Sequence, residues 1–346
     1  MKTNIGYLDR AVDLYTEKSG FSGVIRVTIE NNVLYERTVG YADWEEQTPF
    51  SPDSLFTFYS LSKPFCAMGL LRLYEKGLVR LDAHPSLYVP EAELFPRDVT
   101  LHTLLNHSAG IPDFVQTQAF YEEYGKSPLT VREQLRLLSH YPPFFKAGTD
   151  TRYTNVNFLL LALVIENVSG KTYADYMRDE VFAPLSMQTA LVDREGLAVP
   201  YRVTGYEKTE RGEIKRADKD YYSMFGAGDI LGTVSDVYAL RHAIRDRLLL
   251  KEDTWKKILT PHPVSTFGYG CRRFPWHGKD RITHNGGSAG FRTLHVYLPN
   301  EDFDIILLSN SGWGDARDII TEEIHTAFFG DDGTRHAPLD MDKGYI

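Results

Sequence analysis

The sequence of 346 residues is poor in cysteine and contains no long apolar segment. Its two cysteines, Cys66 and Cys271, are too few for a disulfide framework, and we expect both to be reduced, buried thiols. The longest uninterrupted apolar run, residues 158–165, covers eight positions, whereas a membrane-spanning helix needs about 20. The first residues also lack the apolar core of a signal peptide. Together these features predict a soluble cytoplasmic protein.

The sequence also lacks any block of basic residues. Its formal net charge is −9, and no Lys/Arg-rich stretch has the composition that contacts with a phosphate backbone require. We therefore expect neither a nucleic acid nor a membrane partner. The histidines show no metal-ligand spacing such as H-E-x-x-H, so we expect neither a metal nor another cofactor. The sequence gives no prediction of the oligomeric state.

Strand-like and helical patterns follow one another in an order that favours an α+β fold. A helix over 5–17 precedes two strand-like runs, and after a long, mostly helical section the chain returns to short strands and a last helix, 316–329. Because strands that follow one another in sequence usually lie side by side, the two strand blocks are expected to form one antiparallel sheet around a helical insertion. The predicted sheet domain comprises residues 1–62 and 240–346, and the predicted helical domain comprises residues 63–239, with a cleft between them.

One short motif points to nucleophilic chemistry. Ser60-Leu61-Ser62-Lys63 is the only S-x-x-K in the sequence. On a helix, residues three apart share a face, so the lysine amine can reach the serine hydroxyl and remove its proton. Burial would have to lower the pKa of that lysine for it to act as a base. The alternative is a helix N-cap followed by an exposed lysine, and the motif alone does not decide between the two.

Two further motifs favour the catalytic interpretation. Tyr153-Thr154-Asn155 is the only Y-x-N, and it precedes a predicted helix; a tyrosine hydroxyl can pass a proton to a leaving group. His284-Asn285-Gly286 is the only H-x-G, and with Gly287 it ends a predicted strand where a backbone amide could donate to an oxyanion. Each has a purely structural alternative, a helix-start turn and a glycine-rich turn respectively. The occurrence of all three in this order is harder to explain by chance.

With these motifs the sequence resembles the family of class C β-lactamases, penicillin-binding carboxypeptidases, D-aminopeptidases and family VIII-type esterases. The resemblance runs from about residue 21 to residue 310. It includes Phe21-Ser22-Gly23-Val24, the L-L-x-H-x-S/A-G-I-P-like segment over 104–112, and the glycine turn Gly226-Ala227-Gly228. It implies the β-lactamase/transpeptidase-like fold, an antiparallel sheet flanked by the N- and C-terminal helices with a large, mostly helical inserted domain.

The resemblance also implies roles for individual residues. Ser60 would be the acyl-forming nucleophile, Lys63 its base and Tyr153 the acid/base partner. Asn155 would position the reacting groups, and the backbone N–H groups of Ser60 and Gly287 would form the oxyanion hole. Where β-lactamases have K-T-G, this chain has His284-Asn285-Gly286. A histidine is mostly neutral at pH 7, so a carboxylate anchor is lost and the β-lactamase interpretation is weakened.

The expected substrate is a small acyl compound, either a carboxylic ester or a small amide, and the catalytic site is expected in the cleft. The alternatives are a β-lactamase, a D-alanyl or D-amino acid peptidase, and a non-catalytic sensor or scaffold of the same fold. We expect Tyr59, Tyr222, Phe225 and Arg292 to line the substrate pocket. Core packing is the alternative for each aromatic residue, and a solvated side chain is the alternative for Arg292. A G-x-S-x-G sequence at 286–290 matches a nucleophile elbow, but strands on both sides predict that Ser288 lies in a strand-to-strand turn.

Overall fold

Both ends of the chain contribute to the main sheet. The computed structural model describes residues 3–114, 116–124, 129–218, 224–331 and 333. The strands in this part of the chain are β1 (Gly23–Ile29), β2 (Asn32–Val39), β3 (Tyr41–Asp43), β4 (Thr48–Pro49), β5 (Phe56–Thr57), β6 (Leu191–Val192), β7 (Tyr206–Lys208), β8 (Ile214–Arg216), β9 (Ile230–Gly232), β10 (Arg272–Trp276), β11 (Lys279–Ser288), β12 (Phe291–Leu298) and β13 (Phe303–Ser309). Among them, six pair antiparallel in the order β10-β11-β12-β13-β1-β2. The predicted joining of the early and late strand blocks into one antiparallel sheet is confirmed.

Helices cover both faces of this sheet. The α-helices of the described residues are α1 (Ile5–Ser19), α2 (Lys63–Glu75), α3 (Leu101–Leu105), α4 (Gln118–Tyr124), α5 (Val131–Leu138), α6 (Val156–Ser169), α7 (Tyr173–Met177), α8 (Val234–Arg245), α9 (Glu252–Leu259) and α10 (Ala316–Phe329). Short helical turns lie at Tyr59–Ser62, Pro85–Leu87, Pro90–Ala92 and Arg178–Phe182. α1 and α10, the predicted first and last helices, pack together on one face.

Strand β13 shows why the sheet has an apolar core on each side. Every residue of β13 is buried, and side chains alternate between the two faces of a strand. Phe303 and Leu307 belong to the cluster that includes α1 and α10, whereas Ile306 and Leu308 belong to the cluster formed with the helical section. A strand buried on both faces therefore has a continuous apolar sequence instead of an alternating one.

The helical section is organised around α2 and α6, which pack against each other. Residues 156–165 of α6 are all buried, and so is most of α2, in keeping with helices that are apolar on every side. α2 approaches its neighbours closely at Gly69, where an added Cβ would lie 2.9 Å from Met177 Sδ. These two helices begin next to the two polar motifs, so the core of the helical section fixes both motifs in space.

Several predicted boundaries differ from the observed ones. The helix predicted from residue 60 begins as a 3-10 turn, and the strand predicted over 267–273 begins only at Arg272. The reason lies at Gly270, which has φ +68° and whose added Cβ would lie 2.7 Å from the Lys63 carbonyl oxygen. The chain turns there against α2 and cannot yet pair with β11. The polar stretch over 207–219 forms the β7–β8 hairpin in its described part.

The division into two domains stays a prediction. Helix α8 runs continuously across the proposed boundary between residues 239 and 240. Both cysteines are buried, unpaired thiols. Within the described ranges, no helix combines the length and apolar character needed to cross a membrane. In the same ranges, no group of three or more His, Cys, Asp or Glu side chains is arranged to hold a metal ion.

Candidate active site

Ser60 lies in the 3-10 turn that leads directly into α2. The preceding residue, Tyr59, has φ +48°, a conformation that is uncommon for a residue with a side chain. The turn is tied to β9 because the Ser62 hydroxyl accepts a hydrogen bond from the Ile230 amide at 3.1 Å. Ser60 is half-buried, whereas Leu61 and Ser62 are buried. The turn therefore leaves Ser60 as its accessible side chain.

Lys63 is completely buried, so the alternative of an exposed lysine is wrong. Its Nζ lies 3.1 Å from Ser60 Oγ, 2.9 Å from Asn155 Oδ1 and 2.8 Å from the Ala227 carbonyl oxygen. A neutral amine has two N–H donors and one lone pair. It can therefore donate to the amide and carbonyl oxygens and accept the proton of the Ser60 hydroxyl.

Burial lowers the pKa of Lys63 to about 7, because charging the amine away from water is costly. The carboxylate of Asp113, the thiol of Cys66 and the carboxylate of Asp229 act in the opposite direction. A large fraction of this amine is consequently neutral near pH 7. The site holds a lysine with the protonation state that a general base requires.

The Y-x-N motif lies next to Lys63, although it comes from a distant part of the sequence. Asn155 directly precedes α6, and its backbone amide donates to the carboxylate of Asp113. The Tyr153 ring centroid lies 4.7 Å from Lys63 Nζ and 6.3 Å from the centroid of the His284 ring. The structure thus brings all three motifs together around Ser60.

His284 is buried within β11 and is neutral. Its Nδ1 donates to the Asn285 carbonyl oxygen at 2.7 Å, which leaves the lone pair on Nε2. Burial, and next the charge of Lys63, lower the pKa of His284 to about 3. A group with this pKa supplies no positive charge at neutral pH, in agreement with the expectation from the sequence.

The glycines after His284 allow β11 to lie directly against the Ser60 turn. A Cβ added at Gly286 would lie 2.2 Å from the Phe58 carbonyl oxygen and 2.9 Å from the Ser60 amide nitrogen, both too close for any side chain. Gly287 is paired across the sheet with Arg292. This close approach puts the backbone of β11 beside the Ser60 amide, where an oxyanion hole would form.

The predicted pocket residues do not form one wall. Tyr59 is 2% exposed and packs on the Phe291 ring, so it belongs to the core. Phe225 packs on Tyr173 and lines a separate groove between α7 and β6. Arg292 is half-buried, and its side chain lies over Gly287: an added Cβ there would be 3.2 Å from Arg292 Cδ. Tyr222 lies outside the described residues.

The G-x-S-x-G sequence at 286–290, which matches a nucleophile elbow, lies in a tight hairpin. Ser288 pairs with Phe291, and the two residues between them, Ala289 and Gly290, have φ +40° and +83°. Positive φ at both central positions is typical of a two-residue strand connection. Since β12 follows this turn, Ser288 lies between two strands as predicted, and not between a strand and a helix.

Three contributions to the site were not assigned from the sequence: the Ala227 carbonyl and the carboxylates of Asp113 and Asp229. Ala227 lies in the glycine turn that carried part of the family resemblance, and Asp113 directly follows the segment over 104–112. Asp229 accepts from the Gly226 amide at 2.8 Å and so shapes that turn. The family resemblance of these two segments was the signal in the sequence that could have drawn attention to the three groups. It did not indicate a role for any of them.

Comparison with known proteins agrees with this geometry. The Beta-lactamase family model matches residues 8–325, and the chain therefore belongs to this family of serine hydrolases. It is 25% identical to penicillin-binding protein 4* of Bacillus subtilis (strain 168), over 88% of this chain and 71% of that protein. It is also 25% identical to a D-aminopeptidase of Gluconobacter oxydans (strain 621H), over 84% of this chain but only 56% of that enzyme.

Solved structures show the same fold. The octameric penicillin-binding protein homologue from Pyrococcus abyssi superposes with a TM-score of 0.82 at 23% identity, covering 93% of this chain and 76% of that one. EstCE1, a hydrolase with promiscuous acyltransferase activity, gives a TM-score of 0.80 at 20% identity over 93% and 98% of the two chains. At these identities the likeness establishes the β-lactamase/transpeptidase-like fold, as predicted, and not the substrate.

Proposed function

We propose that the protein is a serine hydrolase that forms an acyl-enzyme at Ser60 and acts on carboxylic esters or small amides. The observation that carries the proposal is the buried Lys63, whose pKa is lowered to about 7 and whose Nζ lies 3.1 Å from Ser60 Oγ. A base poised near the working pH is what activation of a serine hydroxyl requires.

In the proposed mechanism, Ser60 Oγ attacks the acyl carbon while its proton passes to Lys63 Nζ. The N–H groups of Ser60 and Gly287 stabilise the resulting oxyanion. Collapse of the tetrahedral intermediate breaks the bond to the leaving group, which takes a proton from the hydroxyl of Tyr153. Water then attacks the acyl carbon and gives a proton to the Tyr153 oxygen, and Lys63 returns its proton to Ser60 Oγ as the bond between Ser60 and the acyl group breaks. Asn155 holds the lysine in place throughout.

The preference for esters and small amides rests on His284. The pKa of this residue is lowered to about 3, so the position that holds a lysine ammonium in K-T-G enzymes is neutral. Substrates that need a cation there to hold their carboxylate would bind weakly, whereas an uncharged ester has no such need. The likeness to EstCE1 in fold is compatible with this preference.

A second candidate, a D-amino acid peptidase, is favoured by Arg272. Its guanidinium lies 5.2 Å from the centroid of Phe267, a ring that in turn lies 6.0 Å from the Tyr153 ring. Its positive charge contributes to the lowered pKa of His284. Among the described residues no carboxylate forms an ion pair with Arg272, whose Nε donates to Thr266 Oγ1 at 2.7 Å. The arginine is therefore available for the free carboxylate of a peptide substrate.

One set of assays distinguishes these candidates. The rates of a short-chain p-nitrophenyl ester, a chromogenic cephalosporin and a D-alanyl peptide are measured side by side. We expect the ester to react fastest. A cephalosporin rate more than about 10-fold above the ester rate, or about 1.4 kcal/mol in the barrier, would contradict the proposal.

Arg272→Gln tests the second candidate, with Arg273→Gln as the matched control because Arg273 is already paired with Asp280 at 2.8 Å. If a substrate carboxylate binds Arg272, the first variant raises KM for the D-alanyl peptide by at least about 10-fold and leaves the ester unchanged. Equal effects of the two variants on the peptide would remove the support for this candidate.

The non-catalytic alternative is tested by a fluorophosphonate probe. A sensor that has kept the fold would acylate at Ser60 without turning over, whereas a hydrolase both labels and releases product. The cytoplasmic location and the absence of a cofactor and of nucleic acid or membrane partners stay predictions.

A further inference from the structure

His107 makes contacts on both sides of Tyr153. Its carbonyl oxygen accepts from the Arg152 amide at 2.9 Å, and its Nδ1 lies 3.3 Å from the Thr154 amide nitrogen. The Asn157 side-chain Nδ2 is 3.1 Å from the same Nδ1. The residues immediately before and after Tyr153 are thus both bound to His107. His107 shares the support of this segment with Gln116, whose Nε2 donates to the Tyr153 carbonyl oxygen at 2.8 Å, and with Asp113, which accepts from the Asn155 amide.

The ring of His107 also supports the ring of Tyr153. The two rings are stacked, with their centroids 4.5 Å apart and their planes at 29°. Phe158 and Phe267 contact the imidazole at centroid distances of 5.4 Å and 4.9 Å. His107 itself is 1% exposed and has φ +59°. The imidazole is held by its own backbone conformation and by aromatic neighbours, so it is a rigid support.

The hydrogen bonds fix the tautomer of this histidine. Two N–H donors point at Nδ1, so Nδ1 carries the lone pair and the proton is on Nε2. Burial, and then the charge of Lys63, hold the pKa of His107 well below its usual range. A protonated ring would lose both acceptor contacts and would place a second cation next to Lys63. The neutral form is the one compatible with the site.

The acceptor atom distinguishes this imidazole from an apolar ring of similar size. A phenylalanine would fill the same aromatic cluster and keep the stacked face, but it would remove the acceptor that faces the Thr154 amide and the Asn157 side chain. What the imidazole adds is therefore its Nδ1 acceptor.

We propose that His107 is a positioning residue for acylation, whose Nδ1 acceptor holds the backbone after Tyr153 and thereby keeps Tyr153 in register with Lys63 and Ser60. The inference rests on the proposed function of Ser60 and concerns a residue with no direct part in bond making. A displacement of the Tyr153 hydroxyl slows proton transfer to the leaving group while leaving substrate binding nearly unchanged, since proton transfer is sensitive to geometry.

Two substitutions separate the acceptor from the ring. His107→Asn keeps a side-chain oxygen that can accept from Thr154, and asparagine tolerates positive φ. His107→Phe keeps the stacked ring and removes the acceptor. His102→Asn is the control, because His102 lies one helical turn away in α3 and bonds to Tyr269. If His107→Phe does not fold, His107→Leu takes its place. Leucine and asparagine both lack the ring and are similar in size, so the comparison of His107→Leu with His107→Asn isolates the acceptor.

The readouts are kcat, KM and the acylation burst with a p-nitrophenyl ester, per mole of enzyme that titrates with a fluorophosphonate. We expect His107→Phe to lower the acylation rate by about 10- to 100-fold with KM within about 3-fold, a fraction of the usual contribution of acid–base catalysis. His107→Asn should recover most of this loss, and His102→Asn should behave as the unaltered enzyme. The acidic limb of the pH profile should not move in any variant.

A His107→Phe enzyme that acylates within about 3-fold of the unaltered rate overturns the proposal. So does a loss in His107→Asn as large as in His107→Phe, because the acceptor would then be irrelevant. A shift of the acidic limb by more than about one pH unit would also overturn it, since His107 would then titrate. Failure of the unaltered enzyme to acylate at Ser60 is a different result, and it refutes the proposed function itself.

Discussion

The titration of Lys63 gives the most direct test of the proposed chemistry. Its pKa falls from an ordinary value of 10.5 to about 7 because the amine is buried. At about 1.36 kcal/mol per pKa unit, the net effect of burial and of the neighbouring groups disfavours the charged form by roughly 5 kcal/mol. The free amine is the base in the proposed mechanism, so the rate should follow the neutral fraction of this one residue.

The pKa of Lys63 determines the pH range over which kcat/KM should rise. For a pKa near 7, the neutral fraction is about one-tenth at pH 6, about one-half at pH 7 and about nine-tenths at pH 8. The value of kcat/KM for an uncharged ester should therefore rise by about 10-fold between pH 6 and pH 8 and then level off. The value of kcat/KM increases with pH because deprotonation of Lys63 creates the active form.

An uncharged p-nitrophenyl ester is a suitable substrate, because it has no ionisation of its own in this range, and Ser60→Ala supplies the background rate. His284 cannot produce the same limb, since its pKa of about 3 lies far below. A rate that keeps rising 10-fold per pH unit beyond pH 9 would refute the reasoning. It would mean that Lys63 has its ordinary pKa or that hydroxide is the nucleophile.

Three other predictions follow from the geometry of the site and the core. Ser60→Ala should abolish fluorophosphonate labelling, while Ser288→Ala should label normally; the reverse result would move the chemistry to the β11–β12 turn. Gly286→Ala should lower kcat/KM by more than about 100-fold, since its Cβ would lie 2.2 Å from a backbone oxygen of the nucleophile turn, and an unchanged rate would show that β11 need not approach that turn. Leu160→Ala should lower the free energy of unfolding by about 2–5 kcal/mol in a urea titration, against about 0.5 kcal/mol for the exposed Leu14→Ala; similar losses would contradict the assignment of Leu160 to the core.

The three-residue spacing of Ser60 and Lys63 predicted that the two side chains share a helix face, and Nζ lies within hydrogen-bonding distance of Oγ. This inference is local, since one turn of helix determines it. The order of strands and helices likewise predicted the antiparallel sheet. Both inferences depend on periodicity, which a sequence expresses directly.

The burial of Lys63 could not be predicted from the sequence in the same way. It depends on the carbonyl of Ala227, which is 164 positions away in sequence, and on a turn whose path is set by packing between distant segments. Phe225 illustrates the same limit, because its place directly before that turn suggested a pocket wall, yet its ring packs on Tyr173. Proximity in sequence to a motif does not determine where a side chain points once the backbone turns.

The position of β1 between β2 and β13 has a consequence for how the chain folds. β2 follows β1 after a tight turn, but the other neighbour of β1 is separated from it by more than 270 residues, as the pairing of Ile29 with Phe303 shows. The early hairpin can form at once, whereas its second edge stays open until the last strands have been synthesised. Contacts so distant in sequence slow folding, and an open apolar edge favours association with other chains in the meantime. During synthesis the vulnerable surface of this protein is therefore the edge of β1, and completion of the sheet is a late event.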